Sequence, residues 1–247
     1  MDPSTEQSSL DHAPPKRRRG IMGAIESKAM RRKSGAEYRS FIRDHYDGLA
    51  GHLTGFTGFV TGHETLAGRL IRPKAFDVRH CKRVLDAGCG NGRYSKYLLR
   101  WLGEGAFCTA FDLAPRMLAR SRRRLRGRSI SHVAADLTRL PYPDGFFDAV
   151  VCGWVLEHLP DPRPGLRELT RVMEPGGKLL LMCTEDTITG TMCSRMWHCR
   201  TYNRHELKET CGSLGLRWVK PHYFSPVHKW LRLGGIIVEL HKEEGAN

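Results

Sequence analysis

The sequence predicts an α/β fold in which helices cover both faces of a doubly wound, mostly parallel sheet of seven strands. Three observations predict it. From about residue 82 onward, short apolar runs alternate with stretches of helical spacing, the pattern of a sheet with crossover helices. The first run, Val84-Leu85-Asp86-Ala87, breaks into Gly88-Cys89-Gly90-Asn91-Gly92, a turn that residues without a Cβ make most easily. Three successive runs then carry an acid near their tips, Asp86, Asp112 and Asp136, which sets three carboxylates along one edge of the sheet.

Residues 1–35 are polar and basic, with Pro14-Pro15-Lys16-Arg17-Arg18-Arg19 and Arg31-Arg32-Lys33, and are expected to form a disordered or loosely helical tail. The folded domain is expected over 36–247. It opens with a helical region of about 36–75, in which Tyr38, Phe41, Ile42 and Tyr46 share a face. Strands are predicted near 82–87, 107–112, 130–135, 148–153 and 177–184, with helices near 92–103, 114–126 and 162–173. A helix near 203–214 and strands near 216–223 and 234–241 complete the pattern.

A chain of 247 residues with 40% hydrophobic content can bury one sizeable core. It contains no apolar stretch near the ~20 residues that cross a bilayer. Met1 to Ala13 is polar and unlike a signal peptide. The cysteines are scattered rather than framed in pairs, so they read as reduced thiols and the expected location is cytoplasmic.

The glycine turn lets a ligand approach bare backbone, but a dinucleotide fingerprint would read G-x-G-x-x-G, and here the third glycine comes one residue early. Asp86 can accept from a ligand amine or from the loop amides. Asp112, at the tip of the second strand, suits a ribose diol. Asp136-Leu137, after the third, suits an adenine amino group.

With these residues in order, the chain resembles the class I S-adenosylmethionine-dependent methyltransferases, in particular the small-molecule branch of ubiquinone and menaquinone biosynthesis. The resemblance runs from about Tyr46 to Lys242. It is carried by Val84 to Gly92, Asp112, Ala135-Asp136-Leu137, Leu140 to Asp148, Trp154 to Leu159 and Arg171 to Gly177. It implies a Rossmann-like sheet whose last two strands form an antiparallel edge. S-adenosylmethionine is implied as the cofactor, with Asp86, Gly88, Gly90 and Gly92 at its methionine part, Asp112 at the ribose, and Asp136 with Leu137 at the adenine. The region of 36–75 becomes a lid over that cofactor, with Phe56, Phe59 and Val60 as lid residues.

Methyl transfer from a sulfonium is already activated, so alignment and exclusion of water supply much of the rate and a dedicated base is optional. His158 is the first candidate base, because imidazole titrates near neutral pH. Glu157 is the second, orienting His158 or binding a substrate amine. Trp154, bulky where many relatives are smaller, is a candidate acceptor contact, as are Trp197, His198 and Tyr202 in or beside the distinctive segment from Thr184 to Thr201. Cys183, Cys193, His198 and Cys199 do not have the spacing of a zinc module, and no metal is expected.

The net charge of +14 attracts an anionic partner, and Arg116 to Arg128 is the densest basic run. It is read either as a solvated helix face or as a peripheral contact with phospholipid headgroups or nucleic-acid phosphates. The expected acceptor is a small or lipid-like molecule: a quinone precursor, a phospholipid amine or an isoprenoid. Two alternatives stay open. A nucleic-acid methyltransferase is supported only by charge, since Cys152-Gly153-Trp154-Val155 differs from the Asn/Asp-Pro-Pro-Tyr/Phe text that often orients a base amine. A non-catalytic cofactor-binding regulator is equally compatible with intact binding motifs.

Overall fold

The structure is a computed structural model that describes residues 37, 39, 40, 43, 44, 63–197 and 199–245. The basic tail of 1–35, and with it most of the expected lid, including Phe56, Phe59 and Val60, lies outside the described residues. The elements in chain order are α1 (His63–Leu70), β1 (Arg83–Ala87), α2 (Arg93–Trp101), β2 (Phe107–Asp112), α3 (Pro115–Arg124) and β3 (Ser131–Ala134). They continue with β4 (Phe147–Gly153), a 3₁₀ turn (Leu156–His158), α4 (Pro162–Val172), β5 (Met173–Cys183) and α5 (Ile188–Trp197). The chain then forms α6 (Arg204–Gly212), β6 (Leu216–Pro221), α7 (Pro226–Trp230) and β7 (Ile236–Lys242).

The strands form one 7-stranded sheet in the order β3-β2-β1-β4-β5-β7-β6. The first five pair in parallel, while β7 runs antiparallel to both β5 and β6. The last two strands pair as expected. The reversed strand is β7, inserted one place in from the edge that β6 occupies.

Strand residues alternate between two cores, as a sheet covered on both faces requires. Leu85, Val150, Cys152, Leu179, Leu181 and Val238 join Leu166 and Leu169 of α4 and Leu207 of α6 on one face. Val84, Ala149, Val151, Leu180 and Met182 join Leu70 of α1 and Leu98 of α2 on the other. Leu179, Leu180 and Leu181 are fully buried, and each such side chain stabilises by roughly 1.5–3 kcal/mol.

Local chemistry fixes the helix starts. Asp161 caps α4 by accepting from Arg163 N, with Pro162 at the first position, and Asn203 caps α6 by accepting from His205 N and Glu206 N. β5 begins at Met173, earlier than predicted, because Met173 pairs with Phe147 before a register shift, and Gly176 turns at φ 74°. The parallel strands all end on one side, and β6 ends and β7 begins on that side too. The site lies there.

Candidate functional site

Asp112 organises that side. Its Oδ2 accepts from Gly90 N at 2.8 Å and its Oδ1 from Ala114 N at 2.8 Å, so one carboxylate ties the glycine turn to the start of α3. A cavity of about 220 Å³ opens beside it. One wall is Gly88, Cys89, Gly90 and Asn91 of the turn, with Arg93 and Tyr94 of α2. The second is Asp112, Leu113 and Met117 with Ala135, Asp136 and Leu137, and the third is Trp154, Val155, His158 and Leu159.

The glycines of the turn divide their work. A Cβ at Gly90, where φ is +52°, meets no atom within 4 Å, so backbone there faces open space. At Gly88 a Cβ would lie 2.3 Å from Val155 Cγ2, so this glycine lets the third wall close against the turn. Gly92 does not line the cavity, contrary to the expected contact with a cofactor. It sits at φ +80°, where a Cβ would meet Ser121 Oγ at 2.6 Å, and it serves the close packing of α2 on α3.

Asp86 is likewise absent from the cavity wall. It is buried beneath the turn, where Ser95 Oγ donates to its Oδ2 at 2.5 Å. Its Oδ1 has no hydrogen-bond partner among the described residues. Burial pushes its carboxyl up to about 7, against the opposing hydrogen bond from Ser95, and the nearby Asp112 adds to the rise. Asp136 stands on the wall. Its Oδ1 accepts from Thr138 N and Thr138 Oγ1, and its Oδ2 faces Arg39 at 3.6 Å.

On the third wall, Trp154 holds φ 54°, unusual for a residue with a side chain. Its ring stacks between Tyr94 and Phe224, each with centroids 6.2 Å away. His158 lies on this wall as expected. Glu157 does not. It is buried behind the 3₁₀ turn, with Thr184 Oγ1 donating to its Oε1 at 2.7 Å. Burial pushes the Glu157 carboxyl up to about 8, opposed by Thr184.

Tyr202 is also buried away from the cavity, its hydroxyl donating to Leu156 O at 2.8 Å, so it braces the 3₁₀ turn rather than facing an acceptor. Trp197 closes α5 with its side chain outside the described set, and His198 lies outside the described residues. Sequence reasoning missed Leu113 and Met117 as wall residues. The signal for Met117 was available, since a Met one turn into α3 faces the sheet on the side of Asp112.

The arrangement offers a diol acceptor in Asp112, a polar contact in Asp136, an apolar slot between Leu113, Met117 and Leu137, and an aromatic wall with one imidazole. Residues 85–181 match the family model described as "Methyltransferase domain". The ubiquinone/menaquinone biosynthesis C-methyltransferase UbiE of Pectobacterium carotovorum is 37% identical over 109 residues, 42% of this chain and 43% of that protein. The demethylmenaquinone methyltransferase of Mycolicibacterium vanbaalenii is 36% identical over 124 residues, 50% of this chain and 51% of that protein. The chain thus spans about half, or less, of the length of the curated relatives it matches.

Among solved structures, the fold matches the methyltransferase in complex with the Haloferax volcanii Trm112 activator, with TM-score 0.67, 17% identity and coverage of 83% of this chain and 99% of that one. It also matches the Burkholderia thailandensis 1,6-didemethyltoxoflavin-N1-methyltransferase with bound S-adenosylhomocysteine, with TM-score 0.62, 20% identity and coverage of 86% and 92%. At these identities the likeness establishes the fold.

Proposed function

We propose that this chain, similar across its sheet to the class I S-adenosylmethionine-dependent methyltransferases, transfers the methyl group of S-adenosylmethionine to a small apolar acceptor of the quinone-precursor or lipid-like kind. The observation that carries the reading is one cavity that joins the bare Gly90 backbone, the Asp112 carboxylate and the Asp136-Leu137 corner to an aromatic wall. The residues fit the cofactor. Asp112 presents a carboxylate on the cavity wall for a ribose diol, and Leu113, Met117 and Leu137 offer apolar surface to a flat base. Bound there, S-adenosylmethionine supplies an activated methyl group.

The chain's own contribution is alignment and exclusion of water. Trp154 and Leu159 present an apolar face to the acceptor, and His158 is the wall residue able to take a proton from an acceptor hydroxyl or amine. Glu157, buried with Thr184, positions the 3₁₀ turn that carries His158. Arg39, facing Asp136, supports the reading of the leading region as a lid over the adenine corner. Peripheral contact with an anionic membrane belongs to the same reading, because an apolar acceptor resides in lipid.

The test is transfer of labelled methyl from S-adenosylmethionine into fractionated host extract, beside the Asp112→Ala variant. Label is expected in the small apolar pool and lost with the variant, whose cofactor affinity should fall by about 1.5–3 kcal/mol. Label in nucleic acid would overturn the choice of acceptor. Cofactor binding with no label in any pool would leave a regulator.

A further inference from the structure

Among the described residues seven large hydrophobic side chains are exposed, and five of them sit in two segments at the cavity end of the sheet. Ile188 and Met192, 71% and 67% exposed, are one turn apart on α5, which follows β5 directly. Val227, Trp230 and Leu231 lie at i, i+3 and i+4 on and just after α7, with Trp230 82% exposed. A lone exposed apolar residue needs no explanation, but a clustered, Trp-bearing set does.

The two segments are tied together. Buried Glu185, just before α5, accepts from Arg204 at 3.0 Å and from Arg232, just after α7, at 2.8 Å. Beside α7 opens a second cavity, of about 490 Å³, whose lining includes Arg204, Lys208, Lys229 and Arg232 against the one carboxylate of Glu185. α7 is also one ring from the first cavity, because Phe224 stacks on Trp154 and packs edge-on against His228. The later part of the densest arginine run is placed elsewhere. Arg122 to Arg128 lie at the end of α3 and after it, toward the start of β3, and Arg128 donates to Leu99 O near the end of α2, at the opposite end of the sheet from the cavity.

We infer that the α5–α7 end docks on an anionic lipid surface, with Val227, Trp230 and Leu231 entering the boundary between headgroups and acyl chains and the cationic cavity taking a lipid phosphate. The chemistry on both sides agrees. Trp favours the membrane interface, and cations flanking apolar side chains hold an anionic leaflet. The inference rests on the proposed function only for its purpose, which is to bring the catalytic cavity to an acceptor dissolved in the bilayer.

The experiment is sedimentation of the full chain with phosphatidylcholine vesicles, with and without phosphatidylglycerol, in the absence of S-adenosylmethionine. Binding is expected only to the anionic vesicles. Trp230→Ser should weaken it roughly tenfold, and Lys208→Gln or Lys229→Gln about fivefold each. Arg122→Gln with Arg123→Gln should leave binding within about twofold. These side chains reach solvent, and an unchanged urea midpoint confirms that each variant folds.

Absence of binding to anionic vesicles, a Trp230→Ser variant that binds like the parent, or loss confined to the α3 variant would overturn the inference. So would light scattering that shows a dimer dissociated by Trp230→Ser in a chain that ignores vesicles. Vesicle binding without methyl transfer leaves the docking surface standing and removes the proposed activity; transfer without vesicle binding does the reverse.

Discussion

Alanine at Gly90 and alanine at Gly92 should separate binding from folding, although the two glycines are two residues apart in one turn. At Gly92 the added Cβ meets Ser121 Oγ at 2.6 Å and Leu125 Cδ1 at 3.1 Å. Ser121 is not free to swing away, because its hydroxyl is hydrogen-bonded to His132 Nε2 at 2.9 Å. Overpacking of this kind costs about 1–3 kcal/mol. The left-handed backbone at φ +80° adds roughly 1–2 kcal/mol for any residue with a side chain. Gly92→Ala should therefore lose roughly 2–5 kcal/mol.

At Gly90 the backbone cost of roughly 1–2 kcal/mol stands alone, since no atom lies within 4 Å of the added Cβ. The new methyl instead alters the wall against which a ligand would lie. Urea unfolding and calorimetric titration with S-adenosylhomocysteine provide the two readouts. Gly92→Ala should unfold at clearly lower urea than Gly90→Ala. The folded fraction of Gly92→Ala should bind within a few-fold of the parent, while Gly90→Ala binds at least about tenfold more weakly, or ~1.4 kcal/mol. Equal stabilities, or parental affinity in Gly90→Ala, would refute this division of labour.

Asp86→Asn should change the pH dependence of stability. Burial lifts the folded-state carboxyl to about 7, above the ~3.9 of an unfolded aspartate, so between these values the folded chain holds a proton that the unfolded chain has lost. Stability then falls with rising pH, by up to about 1.4 kcal/mol per unit well below the folded-state value, and the variant should gain on the parent by about 2.3 kcal/mol from pH 5 to pH 7 in urea titrations; parallel profiles would contradict it. Trp154→Ala removes a ring held between two others and should cost roughly 3 kcal/mol, raising the KM for the acceptor more than the Kd for S-adenosylhomocysteine. The reverse pattern would move Trp154 to the cofactor side. His158→Gln should lower kcat about 100-fold for an acceptor that loses a proton on methylation. A change below about threefold would leave alignment as the whole of catalysis.

The sheet was readable because its determinants are local. β2 begins and ends where the apolar run Phe107 to Asp112 does, and α4 and α6 start where Pro162 and Asn203 announce them. The cavity edge was readable for the same reason, since the carboxyl tips of parallel strands gather at one end. What escaped depends on partners distant in sequence. Gly92 resembles its neighbours in the turn until Ser121, on the next helix, claims the space beside it. Tyr202 seemed free to face an acceptor, yet its hydroxyl is used by Leu156, 46 residues earlier.

Asp86 was read as a ligand contact because it precedes the turn, but Ser95 at the start of α2 draws it inward. α7 has five residues, too few for helical spacing to show, and its exposed face removes the apolar alternation that marks packed elements. α5 lay in a segment recognised as distinctive but was read for chemistry rather than periodicity.

The place of β7 has a consequence for the chain as it is made. β5 is the longest strand, and the edge it turns away from β4 is covered only by β7, the last of the described elements in chain order. Until residues 236–242 are available, Leu179 to Cys183 present unpaired amides and carbonyls beside some of the most apolar text in the sequence. Such an open strand is a template for association with other chains. Closure also seats Lys242, whose Nζ donates to Met173 O at the beginning of β5. A nascent chain stalled before β7 would therefore hold a formed glycine turn and an exposed adhesive edge at once, so solubility of the newly made protein depends on the pairing of β7 with β5 rather than on the glycine turn.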